Sequence, residues 1–192
     1  MAHMPCALLL GHSFVRRMTE FIDRNQEDGT YTRTFNLGST CTVKTIGIGG
    51  RTVDKLIKND LQDIRDTAPN VVIMDIGSND LCDEQSDPDT VALAIIALVE
   101  LLIKDLKLRC LVLCQVLPRK KQPFMEYNER VWKLNGLLKE AVKGIQGAKF
   151  WIHRGLCKPS QNIFTRDGVH LNDEGHQALY RSYRGAILFA LN

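Results

Sequence analysis

The chain has 192 residues, 44% apolar and 24% charged, which is folded-domain composition and excludes a disordered or low-complexity segment. Lys and Arg number 25 against 22 Asp and Glu, a net charge of +3. So mild a balance gives no strong nucleic-acid signal, since dedicated nucleic-acid domains concentrate basic residues on one face.

Taken in chain order, the segments alternate. Cys6-Ala7-Leu8-Leu9-Leu10 is a short apolar run stopped by Gly11, which predicts a buried strand. Residues 14–24 predict a helix with Phe14, Met18, Phe21 and Ile22 on one face. A second strand is expected near residues 41–46, and a helix over 52–64 with Val53, Leu56, Ile57, Leu61 and Ile64 apolar. Val71-Val72-Ile73-Met74 is the third strand. A helix from about residue 89 to 107 follows, and residues 91–103 within it are apolar nearly all round. That pattern predicts either deep burial or contact with a second copy, with burial the favoured reading; a monomer or weak dimer is expected. Residues 110–117 form the fourth strand. The basic run Arg119-Lys120-Lys121 reads as a solvated loop. An amphipathic helix spans 124–142, a short fifth strand 149–152, a loop 153–166 and a closing helix 173–191.

Continuous apolar strands alternating with helices predict an α/β fold, a three-layer α/β/α arrangement around a flavodoxin-like five-stranded parallel sheet of order 2-1-3-4-5. Met1-Ala2-His3-Met4 reads as a cloning scar, leaving residues 5–192 as one domain. No signal-peptide pattern follows it. The apolar run at 91–103, about 13 residues, is shorter than the roughly 20 a membrane span needs. The cysteines form no CxxC pair and no zinc-finger spacing, and Cys6, Cys110 and Cys114 sit in apolar runs as small hydrophobes do. Reduced thiols, a cytoplasmic setting and no metal or other cofactor are the expectation.

In such a sheet, active groups gather at the carboxyl ends of the strands. Gly11-His12-Ser13 follows strand one, Gly49-Gly50 strand two, Gly77-Ser78-Asn79-Asp80 strand three, and Asp167-Gly168-Val169-His170 lies beyond strand five. A serine hydrolase needs a nucleophile, a base, a group orienting the base and oxyanion donors. Ser13 begins a helix directly after a strand, where its N–H favours negative charge. Asp167 stands three residues before His170, close enough for its carboxylate to fix the imidazole tautomer. Gly50 and Asn79 are candidate oxyanion donors. Taken singly, each has an ordinary reading as an N-cap serine, a turn glycine, a turn asparagine, or a capping aspartate and surface histidine. Their joint order carries the signal.

Together these blocks resemble the SGNH (GDSL-like) hydrolase superfamily, over nearly the whole chain from Gly11 to the final helix. Gly11-His12-Ser13 is similar to its G-D-S block, Gly50 to its oxyanion glycine, Gly77-x-Asn79-Asp80 to G-x-N-D, and Asp167-x-x-His170 to D-x-x-H. The resemblance implies a serine esterase with Ser13 as nucleophile, His170 as base, Asp167 as its partner, and an oxyanion hole of Ser13, Gly50 and Asn79. It implies a small ester substrate, such as an acetylated sugar or a lipid. The short chain, without a lid insertion, favours a short acyl group in an open groove. The opening Gly11-His12-Ser13-Phe14-Val15-Arg16-Arg17 is also similar to esterase domains of metazoan retrotransposon proteins. Three alternatives stay open: a catalytically silent binding module; a flavodoxin-like phosphate binder using Gly47 to Thr52, disfavoured because the glycine spacing fits neither G-x-x-x-x-G-K-[ST] nor G-x-G-x-x-G; and an assembly domain of a larger polyprotein with esterase activity secondary. His12 departs from the family's aspartate. Its expected role is a hydrogen bond to the backbone near Asn79 or the Gly50 loop, with His12→Asp tolerated.

Overall fold

Three apolar runs and two mixed segments, TVKTIG and AKFW, become five parallel strands in a computed structural model that describes residues 4–192. Residues 1–3 of the proposed cloning scar lie outside the described residues. The strands are β1 (Cys6–Gly11), β2 (Thr42–Gly47), β3 (Val71–Asp75), β4 (Cys110–Cys114) and β5 (Ala148–Trp151). Their order is β2-β1-β3-β4-β5 with every pairing parallel, as the alternation predicts. Parallel neighbours need crossovers. These are α1 (Ser13–Arg24), α2 (Val53–Asn59) with α3 (Leu61–Asp66), α4 (Pro88–Leu106) and α5 (Tyr127–Ala141), while α6 (Asp173–Leu191) closes the chain.

The core splits into two layers because successive strand side chains point to opposite faces. Ala7, Leu9, Val71, Ile73 and Val112 pack with the apolar stripes of α1 and α6. Leu8, Leu10, Val72, Met74, Leu111 and Leu113 pack with α2 to α5. Leu8 and Leu9 are both fully buried, so truncating either to Ala would cost ~2–5 kcal/mol.

Two elements differ from the sequence pattern for identifiable reasons. The helix expected over 52–64 breaks at Asp60, which ends α2 and caps α3 with a widened φ of −114 and ψ of −9. Its buried carboxylate takes both arms of the Arg51 guanidinium, at 2.6 and 2.5 Å, and an inward ion pair of this kind competes with a straight exposed helix. On α4, Val91, Ala92, Ile95, Leu98, Val99 and Leu102 are buried, which favours the burial reading of that helix. Leu93 and Leu101 remain exposed, at 72% and 40%, so Leu93, and not the buried Leu98, is the position to test for self-association. Among the described residues no helix is long and apolar enough to cross a membrane.

Candidate active site

The carboxyl end of β1 delivers Ser13. Gly11 ends that strand against β3, where a Cβ would lie 2.2 Å from the Asp75 carbonyl oxygen, so only glycine lets the chain turn there. His12 caps α1 by accepting the Phe14 N–H on Nδ1 at 3.4 Å, and Ser13 becomes the first helical residue. The Ser13 N–H has no protein acceptor among the described residues and sits at the positive end of the helix dipole.

His170 reaches the same place from the tight loop before α6. The Thr165 N–H donates to the His170 carbonyl at 2.8 Å and the Gly168 N–H to the Thr165 carbonyl at 3.0 Å, closing the loop on itself. Inside it, Asp167 accepts from His170 Nδ1 at 2.7 Å through one oxygen. Its other oxygen accepts from the N–H groups of Val169 and His170 at 2.8 and 2.9 Å and from the Thr165 hydroxyl at 2.7 Å. Burial pulls the Asp167 carboxyl upward, but these donors, the His170 ring first, hold it well below the usual carboxylate range. An ionised Asp167 on Nδ1 leaves Nε2 as the free ring nitrogen, and the Phe14 ring lies edge-on to His170 at 6.4 Å.

Ser13 and His170 line one cleft of about 330 Å³ together with Gly49, Gly50, Asn79 and Arg119. No hydrogen bond joins the Ser13 hydroxyl to His170 among the described residues; such bonds are often long before substrate binds. Gly50 adopts a left-handed backbone (φ +70) with open space around it, so the turn demands glycine there, rather than close packing. Its N–H has no acceptor among the described residues. Asn79 donates one amide hydrogen to the Arg51 carbonyl at 2.8 Å, which leaves the second for a ligand. Asp80 accepts the Val53 N–H at 2.8 Å, so Asn79 and Asp80 together tie the loop after β3 to the start of α2. All five sequence-predicted site residues thus meet at one sheet edge: Ser13, Gly50, Asn79 and His170 in the cleft, Asp167 behind His170.

The GDSL-like lipase/acylhydrolase family model matches residues 9–178. The chain belongs to this family. The likeness extends to solved acylhydrolase-family folds. A protein from Bacteroides fragilis assigned as an acylhydrolase shares 20% identity, with a TM-score of 0.77 over 99% of this chain and 92% of that one. A GDSL-like lipase from Bacteroides thetaiotaomicron shares 21%, with a TM-score of 0.72 over 96% and 88%. An acetyl xylan esterase shares 20%, with a TM-score of 0.72 over 95% and 99%. At these identities the structures establish a shared fold. Among curated proteins nothing matches significantly.

Where this member of the GDSL-like family departs from the family's G-D-S block, the structure places His12 differently from the sequence expectation. His12 does not reach the Asn79 or Gly50 loops. It is buried, 3% exposed, with Nε2 3.3 Å from Asp75 Oδ1. Asp75 also accepts a short hydrogen bond from the Tyr183 hydroxyl, and His153 Nε2 lies 4.0 Å away. Burial pushes the Asp75 carboxyl up, yet His12, then His153 and Tyr183, keep it below the usual carboxylate range. This buried network escaped the sequence reading. Its one visible trace is a lone charge in the apolar run Val71-Val72-Ile73-Met74-Asp75-Ile76. Arg119 was also misjudged as part of a solvated run: it lines the cleft, while Lys120 and Lys121 are exposed. Among the described residues no group of three His, Cys, Asp or Glu side chains is placed to hold a metal ion.

Proposed function

We propose that the protein is a serine esterase that cleaves short-chain, acetyl-sized carboxylic esters at the cleft between Ser13 and His170. The observation that carries this reading is the joint placement of Ser13 at a helix start and of His170, oriented by Asp167, in one cleft with unpaired N–H donors. In the first step the Ser13 oxygen forms a bond to the ester carbonyl carbon while its proton passes to His170 Nε2. The Ser13 and Gly50 N–H groups and the Asn79 amide receive the negative oxygen. The C–O bond to the alcohol then breaks and His170 returns the proton to that alcohol. Water attacks the acyl-serine, gives its proton to His170, and the acid leaves as Ser13 is reprotonated. Asp167 stays ionised throughout and steadies the imidazolium.

A small cleft fits a short acyl group, and related folds include an acetyl xylan esterase and an esterase of carbohydrate esterase family 3 from Talaromyces cellulolyticus. Kinship with retroelement esterase domains rests on the residues 11–17 alone. The alternative is a catalytically silent binding module of the same fold. Turnover of para-nitrophenyl acetate tests the esterase reading: it expects activity that Ser13→Ala abolishes, and no turnover above the buffer rate would contradict it.

A further inference from the structure

Arg119 stands in the cleft wall as a guanidinium without a counter-ion. Its Nη2 donates to the Ser78 carbonyl at 3.3 Å and to the Ser78 hydroxyl at 3.0 Å. Its plane lies over the Tyr127 ring, 4.7 Å from the centroid. The Asn128 amide grips its backbone at both ends, accepting from the Arg119 N–H and donating to the Arg119 carbonyl, each at 2.8 Å. The side chain is therefore fixed before any ligand arrives. Nε is enclosed without an acceptor, and Nη1 has no acceptor either but is not enclosed.

The surroundings do not neutralise it. No Asp or Glu lines the cleft among the described residues. None of the nearby carboxylates pairs with Arg119: Asp75 engages His12 and Tyr183, Asp167 engages His170, and Asp80 accepts the Val53 N–H on one oxygen while its other oxygen is buried without a hydrogen-bond partner. A second arginine, Arg16, lines the cleft beside Gly49, but it is half-exposed and already 3.4 Å from Glu20. A rigid, partly desolvated guanidinium whose Nη1 is open suits an oxyanion, which it can hold through its charge and a charge-assisted hydrogen bond from Nη1.

We infer that Arg119 is a specificity-determining residue that selects esters carrying an anionic group, a carboxylate or a phosphate, beside the ester bond. This rests on the esterase reading for its chemistry, but the anion site itself does not depend on turnover. Arg119 binds the charge while Ser13 attacks the neutral carbonyl next to it. A Lys at this position would keep the charge and lose the bonds to Ser78 that fix the guanidinium.

The test compares 4-acetoxybenzoate and 4-acetoxyphenyl phosphate with phenyl acetate, the same ester without the charge. The native protein is expected to prefer one or both anionic esters by roughly tenfold or more in kcat/KM, each rate taken relative to its uncatalysed hydrolysis. Which anionic ester is preferred identifies the carboxylate or the phosphate as the natural group. Arg119→Gln should remove most of the preference, raising KM for the anionic ester, and Arg119→Lys should restore part of it. If Arg119 only clamps Ser78, all esters fall together and the preference is unchanged in both variants, which overturns the inference. Binding of benzoate and phenyl phosphate to the Ser13→Ala protein, read by calorimetry against benzyl alcohol, separates the two readings. Anion binding without turnover leaves Arg119 standing and sinks the esterase; Ser13-dependent turnover with no anion preference does the reverse. Should Arg119→Gln fail to fold, the Arg119→Lys and native measurements still decide.

Discussion

His170 with Asp167 and His12 with Asp75 are two histidine–carboxylate pairs beside the same serine. The first is open: the His170 and Asp167 side chains are 21% and 45% exposed, and His170 keeps one nitrogen free in the cleft. The second is sealed, at 3% and 2%, and both His12 nitrogens are committed, one to the Phe14 N–H and one to Asp75. A base must exchange protons with substrate and water, so a free nitrogen in an open cleft suits catalysis. A sealed, fully engaged ring instead fixes the helix start that carries Ser13. Composition alone does not make a catalytic pair; access does.

Breaking the open pair should abolish chemistry and spare the fold. Ser13→Ala and His170→Ala are each expected to lower kcat by about ten-thousand-fold or more, with Tm nearly unchanged. The check is steady-state turnover of para-nitrophenyl acetate beside thermal melting. The sealed pair should fail the other way. Asp75→Ala leaves His12 and the Tyr183 hydroxyl without their buried partner, a loss of ~3–5 kcal/mol of stability measurable by urea unfolding.

A donor between the two pairs gives an intermediate effect. Asn79→Ala should cut kcat about a hundred- to a thousand-fold with KM less affected, whereas a rise in KM alone would mean that Asn79 binds substrate uniformly. At His12 the structure changes the expected variant. Sequence resemblance favours His12→Asp, but that carboxylate would face buried Asp75. His12→Asn, which can accept from Phe14 and donate to Asp75, is expected to keep at least about a tenth of the activity, while His12→Asp loses stability through like-charge burial. Enzyme assays and melts of both variants distinguish the two outcomes.

The smallest expected effect concerns pH. Burial depresses His153 and His176 below their ordinary value near 6.5. The unfolded chain then binds more protons than the folded one, so stability is full above pH 6.5 and declines as pH falls through the folded values. Asp75, also depressed, adds a further loss only below the ordinary carboxylate range. Melting curves between pH 8 and 5 should show Tm falling toward acid, less steeply in His176→Gln; a flat profile would mean that the buried rings carry no such linkage.

The open pair was legible in the sequence and the sealed one was not. Strands announce themselves as apolar runs, the parallel order places their ends together, Ser13 and Asn79 each follow a strand, and His170 lies in the loop just before the final helix. Asp75 finds its partners just after β1, after β5 and on α6, at His12, His153 and Tyr183, and no local pattern joins such distant residues. The same holds for Asp60, whose pull toward Arg51 breaks a helix that periodicity alone draws straight, and for Arg119, whose role depends on Tyr127 and Ser78.

In the proposed mechanism Ser13 is activated by His170 and not by His12. Labelling with diisopropyl fluorophosphate tests it most directly, because the reagent needs an activated nucleophile but no particular ester. One adduct is expected, mapped by mass spectrometry to Ser13, absent in Ser13→Ala, strongly slowed in His170→Ala and formed within about tenfold of the native rate in folded His12→Asn. Labelling that survives Ser13→Ala, or that depends on His12 while ignoring His170, would contradict it.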